Sequence, residues 1–194
     1  MGRIWVTSDL HFGHDRQFIW GPRGFSSIEE HDHTIIENWN NLVSWDDEIW
    51  LLGDCMLGDN DAGCRKLNQL AGNIYILAGN HDTSTRIQLY SNIRSTIHTM
   101  GLAYILKYQG ISFYMSHYPT MTSNLEKGPE LRRHVINLFG HTHQKSNFYN
   151  DIPYMYHVGV DSHDCKPILL DDIIDDIKKE TQKCLEYVKE EDNK

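Results

Sequence analysis

Three short apolar runs mark the first half of the chain, and each is followed by a polar or glycine-containing segment. The runs are Arg3 to Thr7, Glu48 to Leu52 and Asn73 to Ala78. Short β-rich runs bounded by such segments predict buried strands that end at loops. The chain is therefore expected to place a loop directly after each of these three strands.

Helical periodicity fills the intervals between the runs. The first interval has apolar residues at helical spacing after the acidic start Glu29-Glu30, namely Ile35, Ile36, Trp39, Leu42 and Val43. In the second interval, Leu67, Leu70 and Ala71 suggest a shorter helix. Because this β-α-β-α-β order leaves room for crossover helices, parallel pairing is expected at the amino end.

The second half has a different pattern. Ala103 to Tyr108, the turn Gln109-Gly110 and Ile111 to Ser116 predict a hairpin, and further strands are expected near Val135 to Phe139 and Tyr154 to Val160. These strands follow one another without the long helical intervals of the first half. Both parallel and antiparallel pairs are therefore expected.

A charge-rich helix is predicted from about Asp171 to close the chain. Its apolar positions form one stripe, made of Ile173, Ile174, Ile177, Cys184, Leu185 and Val188. Acidic residues lead and lysines trail, as the helix dipole favours. With no repeat or linker to mark a boundary, we expect a single domain over residues 1–194, built as a layered α/β sandwich with mixed sheets.

Composition narrows the class of protein. The 194 residues are 40% hydrophobic and 23% charged, as in globular chains, and neither a secretory signal nor a bilayer-spanning apolar run is present. We therefore expect a cytoplasmic protein without a membrane partner. The four cysteines show no CxxC pair, which favours reduced thiols. The formal charge of −9 disfavours a non-specific nucleic-acid partner, whereas the 12 histidines suit metal binding or proton transfer.

Five short segments place Asp, Asn or His directly after apolar strands. They are Asp9-Leu10-His11, Gly53-Asp54, Gly79-Asn80-His81-Asp82, Ser116-His117 and Gly140-His141-Thr142-His143. A lone strand-end Asp is more often a helix cap, and a lone His is more often a hydrogen-bonded core residue. Together, however, the segments gather oxygen and nitrogen ligands in successive loops, so a shared metal site is the stronger interpretation.

The ligand types favour particular metals. Nitrogen and oxygen ligands without thiolate suit first-row cations, with Mn the first to try and Fe, Ni, Co or Zn also compatible. Seven candidate ligands exceed the needs of one tetrahedral ion but suit two ions that share a carboxylate. Such pairs, roughly 3.5–4 Å apart, clamp the attacking and leaving oxygens in phosphoryl displacement.

The five segments resemble, in order, the DxH, GD, GNHD, lone-His and GHxH motifs of the calcineurin-like metallophosphoesterases. Four further segments are similar to a compact bacterial and phage-type subgroup, namely SDLHFGH (Ser8 to His14), NWN (Asn38 to Asn40), SHYP (Ser116 to Pro119) and VGVD (Val158 to Asp161). The resemblance implies a four-layer α/β/β/α sandwich with two mixed sheets, with metals at the loops that follow the carboxyl ends of the strands.

The resemblance also implies roles for the ligands. One metal would be held by Asp9, His11 and His143, and the other by Asn80, His117 and His141, with Asp54 bridging. A bridging position suits a carboxylate, and a neutral Asn amide adds no negative charge to a site that receives an anion. A water or hydroxide between the metals would be the nucleophile.

Three neighbouring residues complete the candidate catalytic set. By resemblance, His81 faces the substrate and protonates the departing alkoxide or stabilises charge on the phosphate. Asp82 would either orient a histidine ring or cap a helix, since an aspartate serves both roles. His14 is included because it belongs to the SDLHFGH match.

Other polar residues have no assigned role. Four arginines could hold a phosphate or lie idle at the surface, namely Arg16, Arg23, Arg132 and Arg133. The subgroup positions Asn38, Asn40 and Asp161 have no derivable function. No substrate-binding residue is therefore assigned.

The residues after Asp54 restrict the substrate. Cys55-Met56-Leu57 lacks both the tyrosine of the GDxxY motif in purple acid phosphatases and the arginine of the GDxVDRG motif in protein Ser/Thr phosphatases. We expect hydrolysis of a small phosphodiester or phosphomonoester, with a nucleotide-derived compound as one option. One alternative is a nuclease of the SbcD type. A non-catalytic scaffold on the same fold is the less favoured alternative, because the catalytic histidine, His81, is present.

Overall fold

Two mixed sheets form the frame of the structure, a computed structural model that describes residues 2–122 and 130–192. Along the chain its strands are β1 (Ile4–Thr7), β2 (Glu48–Leu51), β3 (Asn73–Ile76), β4 (Ile97–Thr99), β5 (Ala103–Tyr108), β6 (Ile111–Ser116), β7 (Val135–Phe139), β8 (Phe148–Tyr149), β9 (Ile152–His157) and β10 (Ile168–Leu169). Its α-helices are α1 (Gln17–Trp20), α2 (Ile28–Leu42), α3 (Asn60–Leu67), α4 (Ser84–Tyr90) and α5 (Leu170–Asp192).

The strand order confirms the predicted mixture of pairings. The first sheet has the order β10-β1-β2-β3-β4, in which β1 to β4 are parallel and β10 is antiparallel. The second has the order β5-β6-β7-β9-β8, with β6, β7 and β9 parallel and each outer strand antiparallel to its neighbour. Five of the parallel strands end in the loops that carry the candidate site, namely β1, β2, β3, β6 and β7.

Two hydrophobic cores explain why β1 to β3 have few polar residues. Ile49 of β2 belongs to the core that contains Trp39 of α2, whereas its neighbour Trp50 belongs to the core that contains Phe113 of β6. Alternate residues of a strand point to opposite faces, so these central strands are buried on both sides. The second core also includes Ile173 of α5, a helix that contacts β1, β9 and β10.

The helices begin at recognisable caps, and one prediction requires correction. The Ser27 side chain accepts a hydrogen bond from Glu30 N and starts α2 close to the predicted position. The second helix was predicted around Leu67 to Ala71, but α3 lies earlier, where the Asp59 side chain accepts from Ala62 N. The Asp59 cap, and not the apolar spacing, determines where α3 begins. Leu70 and Ala71 are buried beyond the end of the helix.

In the second half of the chain, most observed elements agree with the predicted ones. The hairpin and β7 agree with their predicted bounds, and α5 begins one residue before Asp171. The strand predicted up to Val160 ends at His157, and Val160 lies in a 3-10 turn. Elements α1, α4, β4, β8 and β10 were not predicted. The side chains of Leu185 and Val188 lie outside the described residues.

The cysteines and helices add two further findings. All four cysteines are free, and Cys55 and Cys165 are buried. None of the helices in the described part of the chain is both long enough and apolar enough to cross a bilayer.

Candidate metal centre

The predicted site residues lie in loops at one edge of the two sheets. Asp9 and His11 follow β1, Asp54 follows β2, and Asn80 follows β3. From the second sheet, His117 follows β6, while His141 and His143 follow β7. Backbone hydrogen bonds join these loops, such as Asp9 N to Gly53 O at 3.1 Å and Gly140 N to His117 O at 3.0 Å. Sheet topology therefore brings together residues far apart in sequence.

Asp9, His11 and His143 form the first ligand group. The Nε2 atoms of the two histidines are 3.2 Å apart, and each lies 3.9 Å from Asp9 Oδ1. Two nitrogens bound to one cation at about 2.0–2.1 Å each would be separated by about 3 Å. The facing ring nitrogens and the buried carboxylate therefore fit a single divalent ion.

Asn80, His117 and His141 form the second ligand group. Asn80 Oδ1 lies 2.9 Å from His117 Nε2 and 2.9 Å from His141 Nδ1. One amide oxygen and two imidazole nitrogens thus converge on a small volume. This donor set also suits a first-row cation.

Asp54 lies between the two groups. Its Oδ2 is 3.7 Å from His11 Nε2 and 3.5 Å from His117 Nε2, so one oxygen faces a histidine of each group. Its Oδ1 accepts a hydrogen bond from His81 N at 2.9 Å. The structure therefore brings all seven predicted ligands together and places Asp54 between the two groups. Its bridging role stays a prediction.

The backbone of the centre is strained. Five of the seven predicted ligands have φ between 49° and 68°, namely Asp9, His11, Asp54, His141 and His143. A non-glycine residue in this left-handed region costs about 1–2 kcal/mol. Such strain persists where surrounding contacts hold it and is concentrated at functional sites.

Close packing explains the glycines that precede two of the ligand segments. A Cβ atom on Gly140 would lie 2.3 Å from Asp9 Oδ2, and one on Gly79 would lie 2.2 Å from Asp54 Oδ1. Real carbon and oxygen atoms do not approach so closely, so any side chain at either position would displace a carboxylate. These glycines therefore allow the loops to meet.

Hydrogen bonds to the far side of two histidine rings determine which nitrogen can bind a metal. His117 Nδ1 donates to Leu52 O at 2.8 Å, which leaves Nε2 directed at Asn80. His143 Nδ1 donates to Asp161 Oδ2 at 2.9 Å, which leaves Nε2 directed at His11. Partners of this kind fix the tautomer and orientation of metal-binding histidines.

A buried ion pair supports the first ligand group. The guanidinium of Arg23 donates to both Asp161 oxygens, from Nε at 2.9 Å and from Nη2 at 2.8 Å. Its Nη2 also donates to Asp9 O at 3.0 Å. The Arg23 side chain is 0% exposed, so it is neither a surface residue nor available to phosphate, the two roles considered from sequence. Arg23 instead links Asp161 to the backbone of a predicted ligand.

The buried network extends beyond Arg23. Its Nη1 donates to His31 Nε2 at 2.8 Å, and His31 Nδ1 donates to Asp32 at 2.7 Å. Asp32 in turn accepts from Gly13 N at 2.9 Å and pairs with Lys66. Asp161 therefore connects His143 to a chain of buried charged and polar groups. From sequence, only its place in the VGVD match had singled it out.

Burial and charge set the protonation of the centre. Burial raises the pKa of Asp9. For Asp54, burial also acts upward, but the hydrogen bond and charge of His117, the hydrogen bond from His81 N and the charge of His11 together bring the pKa to about 2. Burial, with the nearby charge of Arg23, lowers the pKa of His11 well below its ordinary value. His11 is therefore neutral at physiological pH, the form in which imidazole binds metals.

His81 lies beside the ligands without joining either group. Its Nε2 is 3.9 Å from Asp54 Oδ2, and its side chain is 37% exposed. Arg86, which sequence reasoning missed, donates from Nη1 to His81 O at 2.7 Å and so holds the loop. His81 is therefore both adjacent to Asp54 and accessible from solvent.

Asp82 has neither of the roles considered for it from sequence. Thr83 caps α4, and no described histidine ring accepts or donates a hydrogen bond to Asp82. Its Oδ2 accepts from Asp54 N at 2.7 Å and from Gly79 N at 2.9 Å, while Oδ1 accepts from Tyr90 OH at 2.7 Å. Asp82 therefore positions the Asp54 loop against the Asn80 loop. Its predicted catalytic role stays a prediction.

His14 lies at the margin of the centre. Its Nδ1 is 3.4 Å from His11 Nδ1, and its ring centroid is 5.9 Å from that of His81. His14 thus extends the row of histidines beyond the first ligand group on the side of His81. Its predicted catalytic role stays a prediction.

Several other candidates lie away from the metals. Arg132 packs beside Gly110 at the turn of the β5–β6 hairpin, the end of β6 opposite to His117, and Arg133 pairs with Glu130. Two subgroup asparagines form local hydrogen bonds, from Asn38 Nδ2 to Cys165 O at 3.1 Å and from Ala71 N to Asn40 Oδ1 at 2.8 Å. Neither arginine is placed to hold a phosphate at the centre, and both asparagines join elements of the frame.

Comparisons with known proteins agree with this geometry. The model of the calcineurin-like phosphoesterase superfamily domain matches residues 3–159. The gene 66 protein of Mycobacterium phage D29 is 30% identical over 87% of this chain and 93% of its own length, and the uncharacterized protein MJ1445 of Methanocaldococcus jannaschii is 29% identical over 92% and 93%. The crystal structure of AQ665, a protein of unknown function from Aquifex aeolicus, shares the fold with a TM-score of 0.68 at 21% identity, over 90% of this chain and 99% of its own. The chain thus belongs to the calcineurin-like phosphoesterase superfamily and is a metal-dependent phosphoric ester hydrolase.

Proposed function

We propose that this phosphoesterase holds two divalent cations and hydrolyses a small phosphodiester or phosphomonoester, with His81 assisting the leaving group. The observation that carries the proposal is the position of Asp54 Oδ2, which faces His11 of the first ligand group and His117 of the second. Because one oxygen lies between two sets of metal-binding atoms, the geometry supports two linked metal sites and not a single site.

The residues present fit the two cations. Each group offers histidine nitrogens at close range, and the buried Asp9 and Asp54 supply negative charge that two cations would balance. Mn is the first choice, with Fe, Ni, Co or Zn compatible with the same donors. When bound, such a pair would lower the pKa of a water between them and stabilise charge on the phosphate.

His81 is suited to protonate the leaving group. Its ring is partly exposed, and the hydrogen bond from its backbone to Asp54 places it at the edge of the ligands. A general acid must lie within reach of the departing oxygen and must exchange protons near neutral pH, which histidine does. The negative charge of the chain favours a small ester over a nucleic acid.

The test compares hydrolysis of bis-p-nitrophenyl phosphate and p-nitrophenyl phosphate by metal-stripped protein with added Mn. We expect Mn-dependent release, and the preferred ester would separate a diesterase from a monoesterase. His81→Ala should lower kcat by about 10²–10⁴-fold while its metal content stays near that of the wild type. His33→Ala is the control, because His33 lies at the surface of α2 and pairs with Glu37.

Three results would contradict the proposal. Loss of metal from His81→Ala equal to that from a ligand variant would make His81 a ligand. No hydrolysis of either ester by the metal-loaded wild type would favour a scaffold, while degradation of single-stranded or duplex DNA would favour the nuclease alternative.

A further inference from the structure

Two exposed aromatic side chains touch histidines of the candidate centre. Phe18 in α1 is 69% exposed, yet its ring packs edge-to-face against His14 with centroids 5.6 Å apart. Tyr118 is 48% exposed and packs against His141 at 4.8 Å. A single exposed apolar residue needs no explanation, but two aromatic rings at the rim of a catalytic centre form walls that a substrate would meet.

The two rings lie on different sides of the centre. Phe18 contacts His14, whose ring is 5.9 Å from that of His81, so Phe18 is on the side of the proposed proton donor. Tyr118 contacts His117 and His141 of the second ligand group. The rings therefore border different parts of any bound ester.

The backbone holds Phe18 in place. Ile19, its neighbour in α1, is buried, and Ile19 N donates to Arg16 O at 2.8 Å. Burial of Ile19 anchors the short helix and leaves Phe18 at the surface. Phe18 is thus presented from a fixed turn next to His14.

This inference rests on the proposed function, in which His81 donates a proton to the departing alcohol. The oxygen of that alcohol must lie within hydrogen-bond reach of His81, so its substituent extends on the side of His14 and Phe18. We propose that Phe18 forms one wall of a leaving-group subsite for a flat aromatic ring. In the reaction, the oxygen of water bonds to phosphorus and releases a proton to solvent, and the bond from phosphorus to the alcohol oxygen breaks. That oxygen keeps the electron pair and takes the proton from His81, which regains a proton from solvent.

The experiment uses two matched pairs of methyl phosphodiesters with the Mn-loaded protein. The departing alcohol is benzyl alcohol or cyclohexylmethanol in the first pair. In the second pair it is thymidine, through its 5′ oxygen, or the same sugar without the base. Each pair keeps a primary alcohol and changes only the flat ring. The readout is the ratio of kcat/KM within each pair.

We expect the wild type to favour the aromatic member of a pair, and Phe18→Leu to reduce that ratio about tenfold, the scale of one stacking contact. Leucine keeps an apolar surface but removes the flat face, and Phe18→Trp should retain the preference. The pair with the larger reduction identifies an aryl ring or a nucleobase as the favoured group. Trp45→Ala is the control, since Trp45 is 63% exposed and stacks with Arg94.

Other outcomes separate the two proposals. If the wild type hydrolyses the esters and Phe18→Leu leaves both ratios unchanged, the subsite is overturned while the proposed function stands. If Tyr118→Ala reduces the ratios and Phe18→Leu does not, the leaving group lies on the other side and the subsite at Phe18 is again overturned. If no ester is hydrolysed by the metal-loaded wild type, the proposed function itself fails.

Discussion

The two ligand groups differ in what lies behind them. In the first group, His143 donates to the buried carboxylate of Asp161, which is itself paired with Arg23. In the second group, His117 donates to the neutral backbone carbonyl of Leu52, and Asn80 contributes only an amide oxygen. One group is therefore supported by buried charge and the other by neutral dipoles.

This difference has a physical consequence for metal binding. A carboxylate that accepts the far N–H of a ligating histidine raises the basicity of the ring and fixes its orientation, which strengthens its hold on a cation. A carbonyl fixes the orientation but adds no net charge. His141 of the second group is also exposed. We therefore expect the first group to hold its metal more tightly, and the second to exchange its metal with solvent more readily.

Metal removal gives the largest expected effect and the most direct test of the comparison. Exhaustive chelation should abolish hydrolysis, and added Mn should restore it. With limiting chelator, one equivalent of metal should leave before the other, because the second group is less supported. Metal content measured by mass spectrometry alongside activity would show the two stages. Activity unaffected by complete metal removal would refute the mechanism, whereas simultaneous loss of both metals would refute the difference between the groups.

Asp54→Asn should have the next largest effect, because the change removes the negative charge shared by both groups and keeps the side-chain size. We expect metal binding to weaken at both sites and kcat/KM to fall by more than about 100-fold. Loss of a residue that only supports a metal ligand costs up to about 100-fold, and loss of a ligand's charge should cost more. Titration calorimetry with Mn would measure the binding. Asp46→Asn, a change at an exposed carboxylate, is the control. Loss of metal from one group alone would show that Asp54 does not bridge.

The sequence predicted the candidate ligands more fully than the residues that support them. The ligands follow strand ends in short segments such as His141-x-His143, so local pattern is sufficient to find them. Arg23 and Asp161 are 138 positions apart, and their pairing depends on how two loops meet in the folded chain. Nothing in their spacing indicates a contact, and only the VGVD match drew attention to Asp161.

In the fold, too, elements with a clear local pattern were predicted, and elements defined by tertiary contacts were not. The β5–β6 hairpin was predicted at its observed bounds because a Gln109-Gly110 turn separates two β-rich runs. Strands β4 and β8 have only three and two residues, too few to show a period, and tertiary pairing alone defines them. Helix α3 was misplaced because Leu70 and Ala71 continue the apolar spacing into the core after the helix has ended.

Of the three changes, Asp161→Asn should have the smallest effect on the metal centre. It is also the most selective test of the difference between the two ligand groups, because it alters the support of only one of them. The substitution removes the charge behind His143, so metal affinity should fall about 10–100-fold in the first group and change little in the second. It also leaves Arg23 without its buried partner, which costs about 3–5 kcal/mol of stability and lowers Tm. Calorimetric titration with Mn would measure the metal affinity of each site. In the variant, the difference in affinity between the first and second groups should become smaller or change sign.

The matched control separates the effect on the metal from the effect on stability. Asp32→Asn breaks another buried carboxylate of the same network, one that contacts His31 and Lys66 but none of the seven predicted ligands. Both variants should unfold at lower temperature, but only Asp161→Asn should weaken the first group relative to the second. If Asp32→Asn shifts the two affinities to the same extent, the network acts through general stability. The charge of Asp161 would then have no specific role in holding His143.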